Sequence, residues 1–588
     1  MRSLLSPATP VVIGVLISLV VVGDADAARA QASREDAAAW VEQTLAGLTL
    51  KQKVGQLMCS DITGGYLAEE DPRMQRWLRL AGEHGLGMFV LYGGTPRDVA
   101  HLLNRLQRES EIPILMAADF EGGPGQQVSG ATEYPANMAF AAVGSEDLMY
   151  RAAAAAAVEG RAMGIHLTYT PVVDISLRAE NPAESVRSFG GDLDLLGRMV
   201  AAYVRGYHDN GMLTSAKHFP GRGDIEPMPG NAPFAWNDKP AEAVAAQEFL
   251  AFKYAIDAGV DFVMSEHIAV PAVTGGSELP ASVEPRLASE WLRDSLGFAG
   301  ILTTDDLWYD HVVARFGAEE VAVRAFEAGH DIILKPRDPV ATIDALVAAV
   351  RSGRISERRV DNAVRRLLTL KARLDLHNDR FTDGSRAGEF VGTPSHWAIA
   401  QEVADRSLTL LKNEGVLPVM ASRIARAVNI NVQKYENDPS PQALSAELTA
   451  AYPGIRSFTL RPNLDPAVYE VAWQAVAESD LVILSLFVQR DRYGDATPIP
   501  DSDLSFLQRV IAAKPDGVVA MAYGNPHLIR EIPDVSAFFA GYGERGWYGN
   551  QEIYFESFIK ALTGEIIPAG RLPVTVGERY PVGSGLGY

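Results

Sequence analysis

Residues 300–306 read GILTTDD, a short apolar and β-branched run that stops at two acidic side chains, Asp305 and Asp306. A run this brief and this rich in Ile and Thr reads as a buried strand rather than a helix. Working outward from it, the same design recurs between residues 56 and 336, at 56–61, 87–92, 114–119, 167–174, 214–219, 262–267 and 331–336. Longer stretches of helical periodicity separate the runs, so eight successive βα units predict a TIM-type (β/α)8 barrel. Most of the runs end in an ionisable group: Asp61, Asp119, Asp174, Lys217-His218, Glu266-His267, Asp305-Asp306 and Lys335. A polar residue can simply mark the end of one strand. In a barrel the strand C-termini converge on one face, and this repetition predicts a shared pocket there.

The helical pattern at 360–374 closes the barrel, which is expected to span 33–376, and the polar stretch 377–398 has linker composition. Beyond it, apolar runs at 427–432, 481–487, 517–524 and 535–541 alternate with helical patterns such as 466–477 and 503–512. That alternation predicts a smaller α/β sandwich domain over 399–588 with a mainly parallel sheet. The glycines at 583, 585 and 587 precede no helix, so they carry no nucleotide-binding reading.

The chain has 588 residues, of which 47% are hydrophobic and 22% charged, enough to build large cores and too apolar for disorder. Its formal charge of −21 opposes non-specific binding to nucleic acid or to anionic membranes, which directs attention to a small or neutral ligand. A single cysteine, Cys59, excludes an intrachain disulfide and any cysteine-based metal cluster. No histidine spacing suggests a metal site either. Residues 1–32 combine Arg2, an apolar segment at 10–23 and small-residue sites at 25–27 and 30–32, the layout of a cleaved export signal. The apolar segment is shorter than the ~20 residues a spanning helix needs, so the mature protein is expected to be periplasmic or extracellular, without stable membrane insertion.

Four stretches carry the chemistry: Asp119-Phe120-Glu121-Gly122-Gly123, Arg187-Ser188-Phe189-Gly190, Lys217-His218-Phe219-Pro220-Gly221, and the run ending at Asp305-Asp306. Each sits at or just past a strand end. Carboxylates, a lysine, a histidine and an arginine in one pocket suit a polyhydroxylated ligand, because every hydroxyl both donates and accepts. Phe189, Phe219 and Trp308 are candidates for the apolar faces against which a ring packs.

With these stretches in this order, the chain resembles glycoside hydrolase family 3, in particular its bacterial two-domain β-N-acetylglucosaminidases. The likeness runs from LTLKQKVGQL at 48–57 to the terminal GLGY and includes SLTLLKN at 407–413 and GRLPV at 570–574. It implies that Asp305 is a catalytic nucleophile forming a covalent glycosyl-enzyme with retention of configuration. It further implies that Asp119, Arg187, Lys217 and His218 grip sugar hydroxyls, and that no cofactor or metal is needed. Asp306 more simply orients the loop than reacts.

Two departures stand out. Where the family's β-N-acetylglucosaminidases carry an Asp-Ser-His after K-H-F-P-G-H-G-D-T, this chain reads KHFPGRGDIEPMPGN and places Met228 and Gly230 at the positions of the acid/base pair. Neither side chain transfers a proton. Gln127 stands where the family has an arginine, which removes a positive charge from the substrate-binding set. The nearest replacements for the acid/base are Glu226, slightly preferred, and Asp224; Glu544, Asp491 and Asp495 in the second domain are further options. The expected activity is that of a retaining exo-β-glycosidase on terminal β-linked N-acetylglucosamine from peptidoglycan or chitin fragments. The alternatives are a β-glucosidase-like member and a secreted carbohydrate-binding protein that has lost turnover. Phosphorolysis is disfavoured by the missing histidine.

Overall fold

The computed structural model describes residues 24–177, 185–223, 225, 234–488, 499–543 and 549–588. Eight parallel strands form the first sheet: β1 (Met58–Thr63), β2 (Met88–Tyr92), β3 (Leu115–Ala118), β4 (Leu167–Thr168), β5 (Leu213–Phe219), β6 (Phe262–Ser265), β7 (Ile301–Thr304) and β8 (Ile333–Leu334). Their order is β8-β1-β2-β3-β4-β5-β6-β7, and a bridge between Thr303 and Ile332 brings β7 back to the start of β8. Each matches a run expected from the sequence, and the sheet is the (β/α)8 barrel that those runs predict. The strands at 167–174 and 331–336 are shorter than their runs, at two residues each. Pro171 has no N–H to give the ladder, so regular pairing stops at Thr168, although Val172 still bridges to Lys217.

Helices wrap the barrel with the caps that their sequences prescribe. Thr95 accepts from the Asp98 N–H ahead of Pro96–Glu109, and Asp338 accepts from the Val340 and Ala341 N–H groups ahead of Pro339–Arg351. Helix Glu357–Arg373 lays Val360, Val364, Leu367 and Leu368 into the core. The polar stretch 377–398 holds two helices where a tether was expected, Ala387–Phe390 and the start of Pro394–Ser407. Thr393 caps the second and Pro394 opens it, a start signal that the polar composition masks. Asn104 holds this stretch to the barrel by accepting from the Thr382 N–H at 3.0 Å.

The second domain is built on β9 (Thr409–Asn413), β10 (Ala427–Gln433), β11 (Arg456–Leu460), β12 (Leu481–Phe487), β13 (Val518–Ala522) and β14 (Ala537–Ala540). Their order is β9-β14-β13-β12-β10-β11, all parallel except β9, which runs antiparallel to β14. Alternate side chains divide between two layers, as a strand's period of two requires. Val428, Ile430, Val482 and Leu484 pack toward helices Ala467–Glu478 and Asp501–Ala513, whereas Leu481, Ile483, Val519 and Met521 pack toward Leu444, Leu448, Phe555 and Phe558. This is an α/β sandwich, as expected. It meets the barrel through backbone contacts: Ala136 N–H to Tyr542 O, Asn550 N–H to Tyr134 O, and Gly191 N–H to Pro573 O, each 2.8–2.9 Å. Gly190 makes the last approach possible, because at φ +105° a Cβ there would lie 2.3 Å from Pro573 O.

Residues 1–23, most of the expected export signal 1–32, lie outside the described residues, and the helix Asp24–Gly47 begins within that signal. Among the described residues no helix is long and apolar enough to cross a membrane.

Candidate active site

Strand ends on the C-terminal face of the barrel, with the short helix Ser185–Arg187, bring the half-buried Asp119 and the buried Arg187, Lys217, His218 and Asp305 into one network, which two further carboxylates, Glu121 and Asp174, hold together. Lys217 Nζ donates to Asp119 Oδ1 at 2.8 Å and pairs with Glu121 Oε1 at 2.7 Å. Arg187 grips Glu121 with two bonds, Nε to Oε2 at 2.8 Å and Nη2 to Oε1 at 2.9 Å. Its Nη2 also faces His218 Nε2 at 3.4 Å, while His218 Nδ1 lies 2.7 Å from Asp174 Oδ2. An arginine only donates, so the imidazole carries its proton on Nδ1 and gives it to Asp174. Asp174 in turn accepts from the Arg222 N–H at 2.7 Å.

Consecutive residues of a regular strand face opposite ways, yet Lys217 and His218 both join this network. The register of β5 against β6 shifts between Ala216 and Phe219, and such a bulge re-aims adjacent side chains. Gly223 fixes the loop that follows: a Cβ there would lie 1.6 Å from Ile175 O.

Asp305 follows β7 directly and is 8% exposed. Its N–H donates to Ser265 O at 2.7 Å, its Oδ1 accepts from the Asp306 N–H at 2.7 Å, and its Oδ2 lies 3.3 Å from Arg222 Nη2. The same Arg222 nitrogen contacts Glu266 Oε2. Beside the carboxylate, Asp306 Oδ2 accepts from Trp308 Nε1 at 3.0 Å and pairs with Lys335 at 2.7 Å. His267 stands behind, with Nε2 donating to Asp306 O at 3.0 Å and Nδ1 accepting from Ser282 Oγ at 2.9 Å.

Burial and charge set the protonation of these groups. Burial alone would raise the Glu121 carboxyl, but the Arg187 and Lys217 charges overcome it and pull it down to about 2. Lys217 resists its own burial because Asp119 and Glu121 hold it above the ordinary lysine value. Asp306 moves the other way, raised to about 6 by burial and by the Asp305 charge, with Lys335 opposing. His267 is pushed down to about 4 by burial and is neutral at physiological pH.

His218, Glu266 and Asp305 each bring a potential ligand atom within 4.8 Å of the others. The Arg222 guanidinium already lies against both carboxylates, so the cluster is a charge network around an organic cation rather than a metal cage.

The site differs from its sequence reading at several positions. Gln127 is buried, but no hydrogen bond among the described residues ties it to the network, and its Nε2 finds no partner there. Phe189 and Phe219 are core residues, fully enclosed, with Phe219 stacked on Phe249 at 5.6 Å. Of the three aromatic residues expected to pack on a ring, Trp308 is 49% exposed, stacks on Tyr309 and donates to Asp306. The candidate acids Asp224, Glu226, Asp491, Asp495 and Glu544, and the departures Met228 and Gly230, lie outside the described residues. Arg222 and Glu266 went unassigned in the sequence reading, although Glu266 is a charged strand end like the others.

A family model described as the glycosyl hydrolase family 3 N-terminal domain matches residues 49–370. A β-N-acetylglucosaminidase/β-glucosidase of Cellulomonas fimi is 31% identical over 562 residues, covering 92% of this chain and 96% of that protein. Among solved structures, a glycoside hydrolase family 3 β-N-acetylglucosaminidase from Paenibacillus sp. str. FPU-7 superposes with a TM-score of 0.75 at 29% identity, covering 90% of this chain and 99% of that one. A β-glucoside phosphorylase shares the fold with a TM-score of 0.78 at 24% identity, covering 92% and 96%. With the family's domain matched across the whole barrel and a relative aligned over nearly the full length, this chain belongs to glycosyl hydrolase family 3 and is a glycosidase of that family.

Proposed function

We propose that the protein is a retaining exo-β-glycosidase that removes terminal β-linked N-acetylglucosamine from peptidoglycan or chitin fragments, with Asp305 as nucleophile. The observation that carries this reading is the setting of Asp305. One oxygen is fixed by a backbone N–H and the other by Arg222, at the end of a barrel strand and beside a network of sugar-binding groups. A carboxylate so restrained is aimed before substrate arrives, and orientation of this kind is a large part of catalysis. In the first step an Asp305 oxygen bonds to the anomeric carbon as the leaving oxygen departs with a proton from a carboxylic acid. Water then cleaves the ester and the configuration is retained. Asp119, Lys217, Arg187 and His218 hold the ring hydroxyls, the Lys217–Asp119 pair offering a donor and an acceptor side by side.

β-Glucoside hydrolysis is the second reading, favoured by the double name of the Cellulomonas fimi relative and by Gln127 in place of an arginine. A panel of aryl β-glycosides (N-acetylglucosaminide, glucoside, galactoside, xyloside) separates the two, with Asp305→Asn as control. The expected outcome is turnover of the N-acetylglucosaminide and a loss of about 10³-fold or more in the variant. Binding of sugars without turnover of any glycoside would leave a carbohydrate-binding protein instead. Export through the signal at 1–32 belongs to the same proposal, and the mature N-terminus of protein recovered outside the cytoplasm tests it.

A further inference from the structure

Outside the active pocket, arginines converge on one cavity. Helix Pro72–Gly82 follows β1 and helix Pro339–Arg351 follows β8, and because β8 pairs with β1 the two helices belong to neighbouring units where the barrel closes. Between them lies a cavity of about 300 Å³ lined by Arg76, Arg79, His84 and Arg337, with Leu80 and Asp338. Residues three apart on a helix share a face, so Arg76 and Arg79 reach the cavity side by side. His84 follows where that helix ends, its backbone N–H donating to Arg79 O at 3.0 Å.

These cations have little to answer them. Among the described residues, neither Arg76 nor Arg79 has an ion-pair or hydrogen-bond partner, and like charges at this helical spacing repel. Arg337 gives its Nε to Trp308 O at 3.2 Å and pairs with Asp310, whose side chain is 98% exposed. An ion pair so solvated holds an arginine weakly. The carboxylate in the lining, Asp338, is committed to its own helix, with Oδ1 accepting from the Val340 and Ala341 N–H groups at 2.9 and 3.1 Å. Three guanidiniums against one carboxylate reverse the sign of a chain whose formal charge is −21.

We propose that this cavity binds a tetrahedral oxyanion, a phosphate or sulfate group, either free or carried as an ester on a small organic molecule. A guanidinium presents its N–H groups as a planar fork that matches two oxygens of such an ion. Two forks come from the helix after β1 and one from the segment after β8, so they meet different oxygens. A carboxylate offers two oxygens in one plane, too few for three forks and an imidazole. The floor is apolar, with Leu80 and Pro339 buried, and keeping water from that side strengthens charged hydrogen bonds. The cavity stands one loop away from the nucleophile: Arg337 donates to Trp308 O, and Trp308 Nε1 donates to Asp306.

The test is calorimetric titration of the protein with inorganic phosphate, sulfate and glycerol 3-phosphate, with acetate as the carboxylate control, for wild type and for Arg76→Ser combined with Arg79→Ser. Both arginines are exposed and outside the sugar pocket, so the double variant should fold and turn over an aryl β-glycoside as wild type does. Wild type should bind phosphate or its ester with a Kd below about 10 mM, more weakly as sodium chloride is raised. The double variant should bind about 100-fold more weakly, about tenfold for each charged hydrogen bond lost. Tighter binding of phosphate than of glycerol 3-phosphate assigns the free ion, and the reverse order assigns the ester. Equal phosphate affinity in wild type and double variant would put the ion elsewhere, as among Arg187 and Lys217, and overturns the proposal. Acetate binding as tight as phosphate, or no binding of either phosphate by wild type in that range, overturns it too.

Discussion

Glu121 is the residue on which the network of Asp119, Arg187 and Lys217 turns, and its replacement by glutamine tests how that network is held. Its carboxylate is 4% exposed and receives both Arg187 and Lys217, so the change leaves two buried cations facing a neutral amide. A fully buried carboxyl held at about 2 against an ordinary 4.5 contributes about 3 kcal/mol to folding. Independently, breaking a buried ion pair by removing one partner costs about 3–5 kcal/mol. Both routes give about 3 kcal/mol for Glu121→Gln at pH 7. The folded value lies below the unfolded one, so this stability is fully present above about pH 4.5 and is lost as the pH falls toward 2. By pH 3.5 the gap between wild type and variant should have narrowed by roughly 1 kcal/mol. Urea unfolding followed by tryptophan fluorescence at pH 7 and pH 3.5 reads both numbers. A variant within about 1 kcal/mol of wild type at pH 7, or a gap that widens at acid pH, would refute the argument.

Asp306 carries the opposite sign. Its folded value of about 6 exceeds its ordinary 3.8, so stability is lost as the pH rises from about 4 to about 6 and is level above, and Asp306→Asn should gain on wild type between pH 5 and pH 8 by roughly 1 kcal/mol. Melting temperatures at those two pH values check it; an unchanged difference would remove Asp306 from the titrating set. Gly223→Ala places a methyl on Ile175 O, so the loop carrying Arg222 must shift, and loss of most activity is expected even where the protein still folds. A fully active alanine variant would show that the loop has room. Arg222→Met deprives both Asp305 and Glu266 of their shared cation; it should lower kcat far more than it raises KM, and a pure KM effect would make Arg222 a substrate ligand instead.

The barrel was legible in the sequence because its strands are buried on both sides and therefore written as unbroken apolar runs with ionisable ends. Strand β11 was missed for the converse reason. It lies at the sheet edge, Arg456 is exposed and the next three residues are only half-buried, so no apolar run marks it. Strand β9 was visible as SLTLLKN but not as an antiparallel edge, since its pairing with β14 spans more than a hundred residues. In the site, Asp119, Arg187, Lys217, His218 and Asp305 came from strand ends and from the family's pattern. Glu266 stood in plain view as a strand end, yet its importance depends on the closure of β6 beside β7, which places it against Asp305 across 39 positions of sequence. The bulge that turns Lys217 and His218 into the same network left no trace in the residue pattern, because all seven residues of β5 are buried.

Retention through Asp305 requires a covalent bond between its carboxylate and the sugar. Proton NMR of the first product released from an aryl β-N-acetylglucosaminide, followed by peptide mapping of enzyme trapped with a slow fluorinated glycoside, tests it most directly. A retaining enzyme with this nucleophile releases the β-anomer first and yields a single glycosylated peptide modified at Asp305. The α-anomer, or a sugar attached to any other residue, would contradict it.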